Sequence, residues 1–337
     1  MATQSDATDG RTLAEALIGL GCFDPFGHSN LTLVPLRGES RRQLEYVLGS
    51  EAIRAGTLTI TEVDQQAIVS ELLASNSGQQ MVLLLDGEEL VGAKQNRILN
   101  TSVLIRAGTK TRIPVSCVEQ GRWREVSRAF SSGNYSSSSL RARKSRDVSE
   151  SLRSSGEARS DQGAVWEGVA CCLHLSGSAP SPTMAMSDVI SQRRDSLQAY
   201  VESLPYPAGA RGVMAAIGGR FVAADIFDNP RTLEAVWPRL ITGYALDALS
   251  QEKETPKLFT AKAAEILLEH FGQIACETRP TVGVGEDWRV EADDVVGQAL
   301  IADGVCVHMS AFPNDRSDGR DAREAGIAPP SRRRRIR

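Results

Sequence analysis

Leu84-Leu85-Asp86-Gly87-Glu88-Glu89-Leu90-Val91-Gly92-Ala93-Lys94-Gln95-Asn96-Arg97-Ile98-Leu99-Asn100 continues an apolar run that begins at Met81. Two further short runs follow, Ser102 to Ile105 and Arg112 to Val118, separated by Ala107-Gly108-Thr109. Short apolar runs punctuated by Asp-Gly and Ala-Gly predict strands joined by tight turns, because glycine supplies the positive φ that such turns demand. Toward the N-terminus, Leu31 to Leu36, Thr57 to Val63 and Ala67 to Ala74 also read as strands. Helices are predicted over Arg11 to Gly21, where Leu13, Ala16, Leu17 and Leu20 share one face, and over Leu44 to Ala55. Several short strands at this spacing predict a β-rich sandwich or partly open barrel over residues 22–125.

Toward the C-terminus the composition changes. Ser131 to Ser139 is nearly all Ser, Gly, Asn and Tyr, and Leu140 to Ser155 is rich in Arg and Ser. Such segments bury too little apolar area to offset their ordering entropy, so 126–160 is predicted to be a mobile loop and connector. Helical spacing returns at Gln162 to Leu175, through Val165, Trp166, Val169, Cys172 and Leu173, and at Ser187 to Leu204. Strands are predicted at Gly212 to Ile217 and Arg220 to Phe227, joined across Gly218-Gly219, a dipeptide suited to a two-residue hairpin. Helices at Arg231 to Leu249 and Thr260 to Phe271 precede strands near Gln273 to Val284, Trp288 to Val290 and Val295 to His308. Strands, then a helical middle, then a C-terminal strand and helix mixture give an α+β class, with 161–312 packed on the first half. Residues 313–337, with Arg332 to Arg335, are expected to be a disordered basic tail.

The 337 residues allow one large domain or two intimate ones. A net charge of -4 argues against a global nucleic-acid-binding field, and no specific nucleic-acid binding is expected. No run of 18 apolar residues occurs and the N-terminus is polar, so the expected location is cytoplasmic, without membrane contact. The six cysteines lack paired CxxC spacing and are expected to be free thiols, with Cys171 and Cys172 filling an apolar segment.

The chemistry-bearing residues concentrate between Asp86 and Trp123. Glu88, Glu89 and Glu119 are candidate acids, bases or ribose ligands; Lys94, Arg97 and Arg122 are candidate phosphate ligands. Gln95, Asn96 and Asn100 offer amides that could read a base or an amide edge. The same groups could instead form a buried network that holds the turns. Cys117 has no His near it in sequence and is expected to be a buried structural thiol. The lack of HxH or HxxxH spacing predicts no metal site, and the lack of GxGxxG or GxxxxGK gives no cofactor motif.

The stretch Leu84 to Asn100, followed by Ile113-Pro114-Val115-Ser116-Cys117-Val118-Glu119-Gln120-Gly121-Arg122-Trp123, resembles the signature of one prokaryotic family, the ADP-ribosylglycohydrolase- and rhodanese-phosphatase-superfamily-associated proteins. Weaker similarity extends through Asp161 to Trp166 and Ile217 to Asp228. The resemblance implies a role beside ADP-ribose and NAD metabolism, with an ADP-ribose-like nucleotide or an ADP-ribosylated molecule as partner, on whose adenine Trp123 could stack. Three uses of the polar stretch then stand side by side: an enzyme or accessory enzyme acting on such a nucleotide, a non-catalytic protein that recognises it, or a purely structural network.

Overall fold

The computed structural model describes residues 11–39, 42–63, 70–122, 124–179, 183–251 and 257–314. Its fold is α+β, built around three sheets. The largest runs Gly21–Cys22, Leu31–Arg37, Gly212–Ile217, Arg220–Phe227, Val305–Pro313, Val295–Ala302, Glu286–Glu291, Cys276–Pro280, with Phe26–His28 also paired to Leu31–Arg37. All its pairings are antiparallel. Both faces are apolar, and alternation along each strand divides the residues between two cores. Leu31, Leu33, Val213, Ala215 and Val307 enter one core, with the helices Ser138–Ser155, Gln162–Leu175 and Pro230–Ser250. Val34, Leu36, Met214, Ala216 and Met309 enter the other, against Ala14–Leu17 and Ala261–Gln273. Gly218 and Gly219 close the central hairpin with φ of 56° and 78°, both positive, as a type I′ turn requires.

The N-terminal β-rich region forms the other two sheets. One orders Phe130–Tyr135, Glu88–Gly92, Arg97–Leu99, Lys110–Cys117, Glu71–Asn76, Leu58–Glu62; the other orders Val103–Ile105, Met81–Leu84, Tyr46–Leu48. A shared core joins them, with Ile60, Leu72, Leu90, Ile113 and Val115 from the first meeting Val82, Leu84, Val103 and Ile105 from the second.

Several elements differ from expectation. Leu44 to Ala55 is the strand Tyr46–Leu48, paired in parallel with Met81–Leu84, and a short helix Gly49–Arg54. The helix expected from Arg11 to Gly21 shortens to Ala14–Leu17, since Ile18 turns extended and Gly19 has φ 76°. Val295 to His308 is a hairpin rather than one run, turning at Asp303-Gly304. Of the strand expected at Ala67 to Ala74, the part from Glu71 is present and 64–69 lie outside the described residues.

The larger correction concerns 126–160. Phe130–Tyr135 is a strand paired with Glu88–Gly92, and Ser138–Ser155 is an 18-residue helix. The serines are placed by polar contacts in lieu of apolar burial: Ser131 Oγ donates to the Val91 carbonyl, Ser132 Oγ to Glu88, and Ser137 Oγ caps the helix by accepting from Leu140 N. The N-terminal residues 1–10 and the tail with Arg332 to Arg335 lie outside the described residues.

Candidate functional site

Strand alternation sends the adjacent acids Glu88 and Glu89 to opposite faces of Glu88–Gly92. On the Glu89 face the next turn folds back, because the Arg97–Leu99 strand pairs with both Glu88–Gly92 and Lys110–Cys117. That pairing carries Asn96 to the start of the 118–122 segment, where Val118 N donates to the Asn96 carbonyl. Asn96 then becomes the hub of a buried cluster. Its Nδ2 donates to Glu89 Oε1 at 3.2 Å and to Ser187 Oγ at 3.3 Å, while its backbone N donates to Glu119 Oε2 at 3.0 Å. Arg122 closes the group: Nε donates to Glu119 Oε1 at 2.8 Å, and Nη2 donates to Glu119 Oε2 at 2.6 Å and Asn96 Oδ1 at 3.0 Å. Gln95 Nε2 donates to the Glu119 carbonyl at 2.8 Å, and an isolated bridge between Glu119 and Ala185 brings in the Met186–Gln192 helix.

Glu119 therefore has an arginine partner, whereas Glu89 has an amide. Burial pushes the Glu89 carboxyl up to about 7, helped by the Glu119 and Asp188 charges and opposed by hydrogen bonds from Asn96 and the Asn134 backbone. Among these groups Arg122 reaches the surface, its side chain 14 % exposed.

The other candidates stand apart from this cluster. Glu88 accepts from Arg239 Nη1 at 2.8 Å and from Ser132 Oγ at 2.7 Å. Arg97 is completely buried, 3.5 Å from the Glu62 carboxylate and donating to the Gln95 carbonyl at 3.1 Å. Asn100 accepts from Ser116 Oγ at 2.8 Å and donates to the Ala158 carbonyl at 3.0 Å. Lys94 is half-buried in the turn that carries Gln95 and Asn96, and Trp123 lies outside the described residues. Cys117 is buried in its strand with Sγ donating to Gln95 Oε1, and burial raises its thiol to about 11, the state of a structural rather than a nucleophilic cysteine.

A second buried cluster escaped the sequence reading. Asp86 accepts from Lys144 Nζ and from Arg141 Nε, and Arg141 also forks onto Asp225 at 3.0 and 2.6 Å. Tyr244 OH donates to Asp225 at 2.6 Å, His308 Nε2 is 3.2 Å from the same carboxylate, and its Nδ1 is 2.7 Å from Ser102 Oγ. Burial alone would raise the Asp86 carboxyl, but the Lys144 and Arg141 charges outweigh it and hold it below its usual range. A Cβ on Gly87, which has φ 80°, would sit 2.6 Å from Arg141 Cδ, so this turn and this arginine require glycine together. All these charged side chains are buried and satisfied by one another, which marks the cluster as the tie between the helix Ser138–Ser155 and the sheets. Neither it nor the Asn96 cluster lines either of two cavities, of about 590 and 150 Å³.

Fold and site define a mixed α+β protein in which two carboxylates, one paired to arginine and one not, share a single asparagine. The chain belongs to the ARPP-1 domain family, the ARG and Rhodanese-Phosphatase-superfamily-associated Proteins, whose model matches residues 20–312. The match spans both clusters and links the chain, through the family's description, to proteins associated with ADP-ribosylglycohydrolase. No curated protein and no solved structure matches it. Among the described residues no helix is long and apolar enough to cross a membrane.

Proposed function

We propose that the protein is an enzyme or accessory enzyme acting on an ADP-ribose-like nucleotide, with Glu89 as the proton-transfer group. The observation that carries this is the divergence of two neighbouring carboxylates: Glu119 is locked to Arg122, and Glu89 is held near neutrality at about 7. A pair whose environments differ in this way suits division of labour, one carboxyl exchanging a proton near pH 7 while the other stays charge-paired and orients the site. Asn96 fixes the Glu89 carboxylate, and Lys94, half-buried in the same turn, supplies cationic charge that a pyrophosphate would meet, while Arg122 is committed to Glu119 and Asn96. The family association with ARG supports the substrate class.

Incubation with ADP-ribose, NAD, AMP and ribose phosphates, with products separated chromatographically, tests this. Turnover of an ADP-ribose-containing probe should fall about 100-fold in Glu89→Gln with KM retained, the usual scale of acid–base assistance. A second reading, a non-catalytic binder, is favoured by the burial of Glu89, which lines neither cavity and so lies away from a reacting atom. It expects ADP-ribose to raise the melting temperature without turnover, with Arg122→Ala abolishing the shift. Neither turnover nor a shift would overturn both.

A further inference from the structure

The strand Phe130–Tyr135 does not follow Glu88–Gly92 in plain register. Ser132 pairs with Leu90 and Tyr135 with Glu88, so Gly133 and Asn134 together stand opposite the single residue Glu89. Two residues against one make a β-bulge, which re-aims the groups around it. Glu89 meets the bulge twice. A Cβ on Gly133 would come within 3.0 Å of Glu89 Oε2 and 2.8 Å of Val91 Cγ2, so the carboxylate packs where only glycine leaves room. The Asn134 backbone N–H also donates to that carboxylate. The bulge is in turn gripped from the face of the strand on which Glu88 lies. Arg239, on the helix Pro230–Ser250, donates through Nη1 to Glu88 Oε1 at 2.8 Å, to Ser132 Oγ at 2.7 Å and to the Gly133 carbonyl at 3.3 Å. Its Nη2 donates to Ser50 Oγ at 3.3 Å, and its guanidinium carbon lies 5.3 Å from the centre of the Tyr135 ring. The Gly133 carbonyl and the Asn134 N–H belong to one peptide unit, and no cis peptide bond occurs among the described residues, so the two groups point in opposite directions. Holding the carbonyl toward Arg239 therefore turns the N–H toward Glu89.

We propose that Arg239 is a positioning residue for Glu89: acting through the Gly133–Asn134 peptide, it keeps a second donor, besides Asn96 Nδ2, on the Glu89 carboxylate. A donor on a carboxylate favours its charged form, so releasing the Asn134 N–H raises the proton affinity of Glu89. The consequence for turnover rests on Glu89 being the proton-transfer group, whereas the coupling itself does not. Removing Arg239 alone would strand the buried Glu88 charge. Glu88→Gln with Arg239→Met removes both charges of that pair together and leaves Glu119 and Asp188, the charges that act on Glu89, in place.

Carbon-13 NMR of the full chain labelled at the glutamate carboxyls, with Glu89 assigned through Glu89→Gln, tests it. In the double variant the Glu89 titration midpoint should rise by at least about 0.5 pH unit above the wild-type value, roughly a threefold gain in proton affinity. Hydrogen exchange of the Asn134 amide should quicken at least about tenfold in the same protein. Should the double variant not fold, Arg239→Lys is read in the same way. It keeps a cation beside Glu88 on a shorter side chain, which gives up the Gly133 carbonyl, already the longest of the three Nη1 contacts. A wild-type midpoint together with wild-type Asn134 exchange in the folded variant would overturn the proposal. Both readings are made without substrate. A shifted midpoint in a protein that turns over no ADP-ribose-containing probe would therefore sink the proposed activity and leave the coupling standing.

Discussion

Glu88 and Glu89 are neighbours in sequence, both buried, and yet have different partners. Glu88 meets Arg239, 151 positions away, whereas Glu89 meets Asn96 and the charges of Glu119 and Asp188. Because the folded-state pKa of Glu89 is raised from 4.5 to about 7, its contribution is fully present below about pH 4.5 and is lost as pH rises through 7. The full swing is about 3 kcal/mol at 1.36 kcal/mol per unit. Glu89→Gln removes that dependence, so the stability of the wild type relative to the variant should decline between pH 5 and pH 8, read by urea titration at each pH. A constant difference across that range would show that Glu89 does not titrate there. The density of acids, bases and amides between Asp86 and Trp123 was legible in the sequence, as was the burial of Cys117. That Glu89, Gln95, Asn96 and Glu119 meet was legible from the two neighbouring hairpin ends; that Glu88 and Arg97 part from them was not, because it depends on strand register. Nor were the distant partners of Glu88 and Arg97, Arg239 and Glu62, which lie in other elements.

The helix Ser138–Ser155 shows the same limit at the next scale. Its buried stripe runs Arg141, Lys144, Ser145, Val148, Ser149, Leu152, a helical period in which polar and charged residues take most of the core positions. Apolar periodicity, the signal that located Gln162–Leu175 closely, is therefore nearly absent, and serine with arginine reads as solvated chain. The positions are tolerated since Asp86 and Asp225, on a turn and a strand elsewhere, neutralise the two cations. Removing one member of such a buried group strands its partner's charge. Arg141→Met should then cost about 3 to 5 kcal/mol, seen as a lower denaturation midpoint with an unchanged denaturant slope. A loss below about 1 kcal/mol would mean that Asp225 is satisfied by Tyr244 and His308 without it.

Across the whole molecule, the α+β class followed from the order of strands and helices, but the division near residue 125 does not describe the large sheet. Leu31–Arg37 lies between Gly21–Cys22 and Gly212–Ile217, so a strand from the first half completes a sheet whose remaining strands come mostly from the last third. Sequence could not show this, because the apolar pattern of Leu31–Arg37 suits any sheet with two covered faces. Cutting the chain at 125 would remove Leu31, Leu33, Val34 and Leu36 from both cores and leave the fully buried Gly212–Ile217 strand without a neighbour on one edge. Four such side chains at about 1.5 to 3 kcal/mol each amount to roughly 6 to 12 kcal/mol, comparable to the whole stability of a typical domain. The cut also parts Asp86 from Lys144 and Arg141. Fragments 1–125 and 126–337 should therefore each lack a cooperative thermal transition, while co-expression of the two should restore one, since every lost contact can re-form between them. A sharp transition with native near-ultraviolet dichroism in 126–337 alone would show that the C-terminal strands close their sheet without Leu31–Arg37.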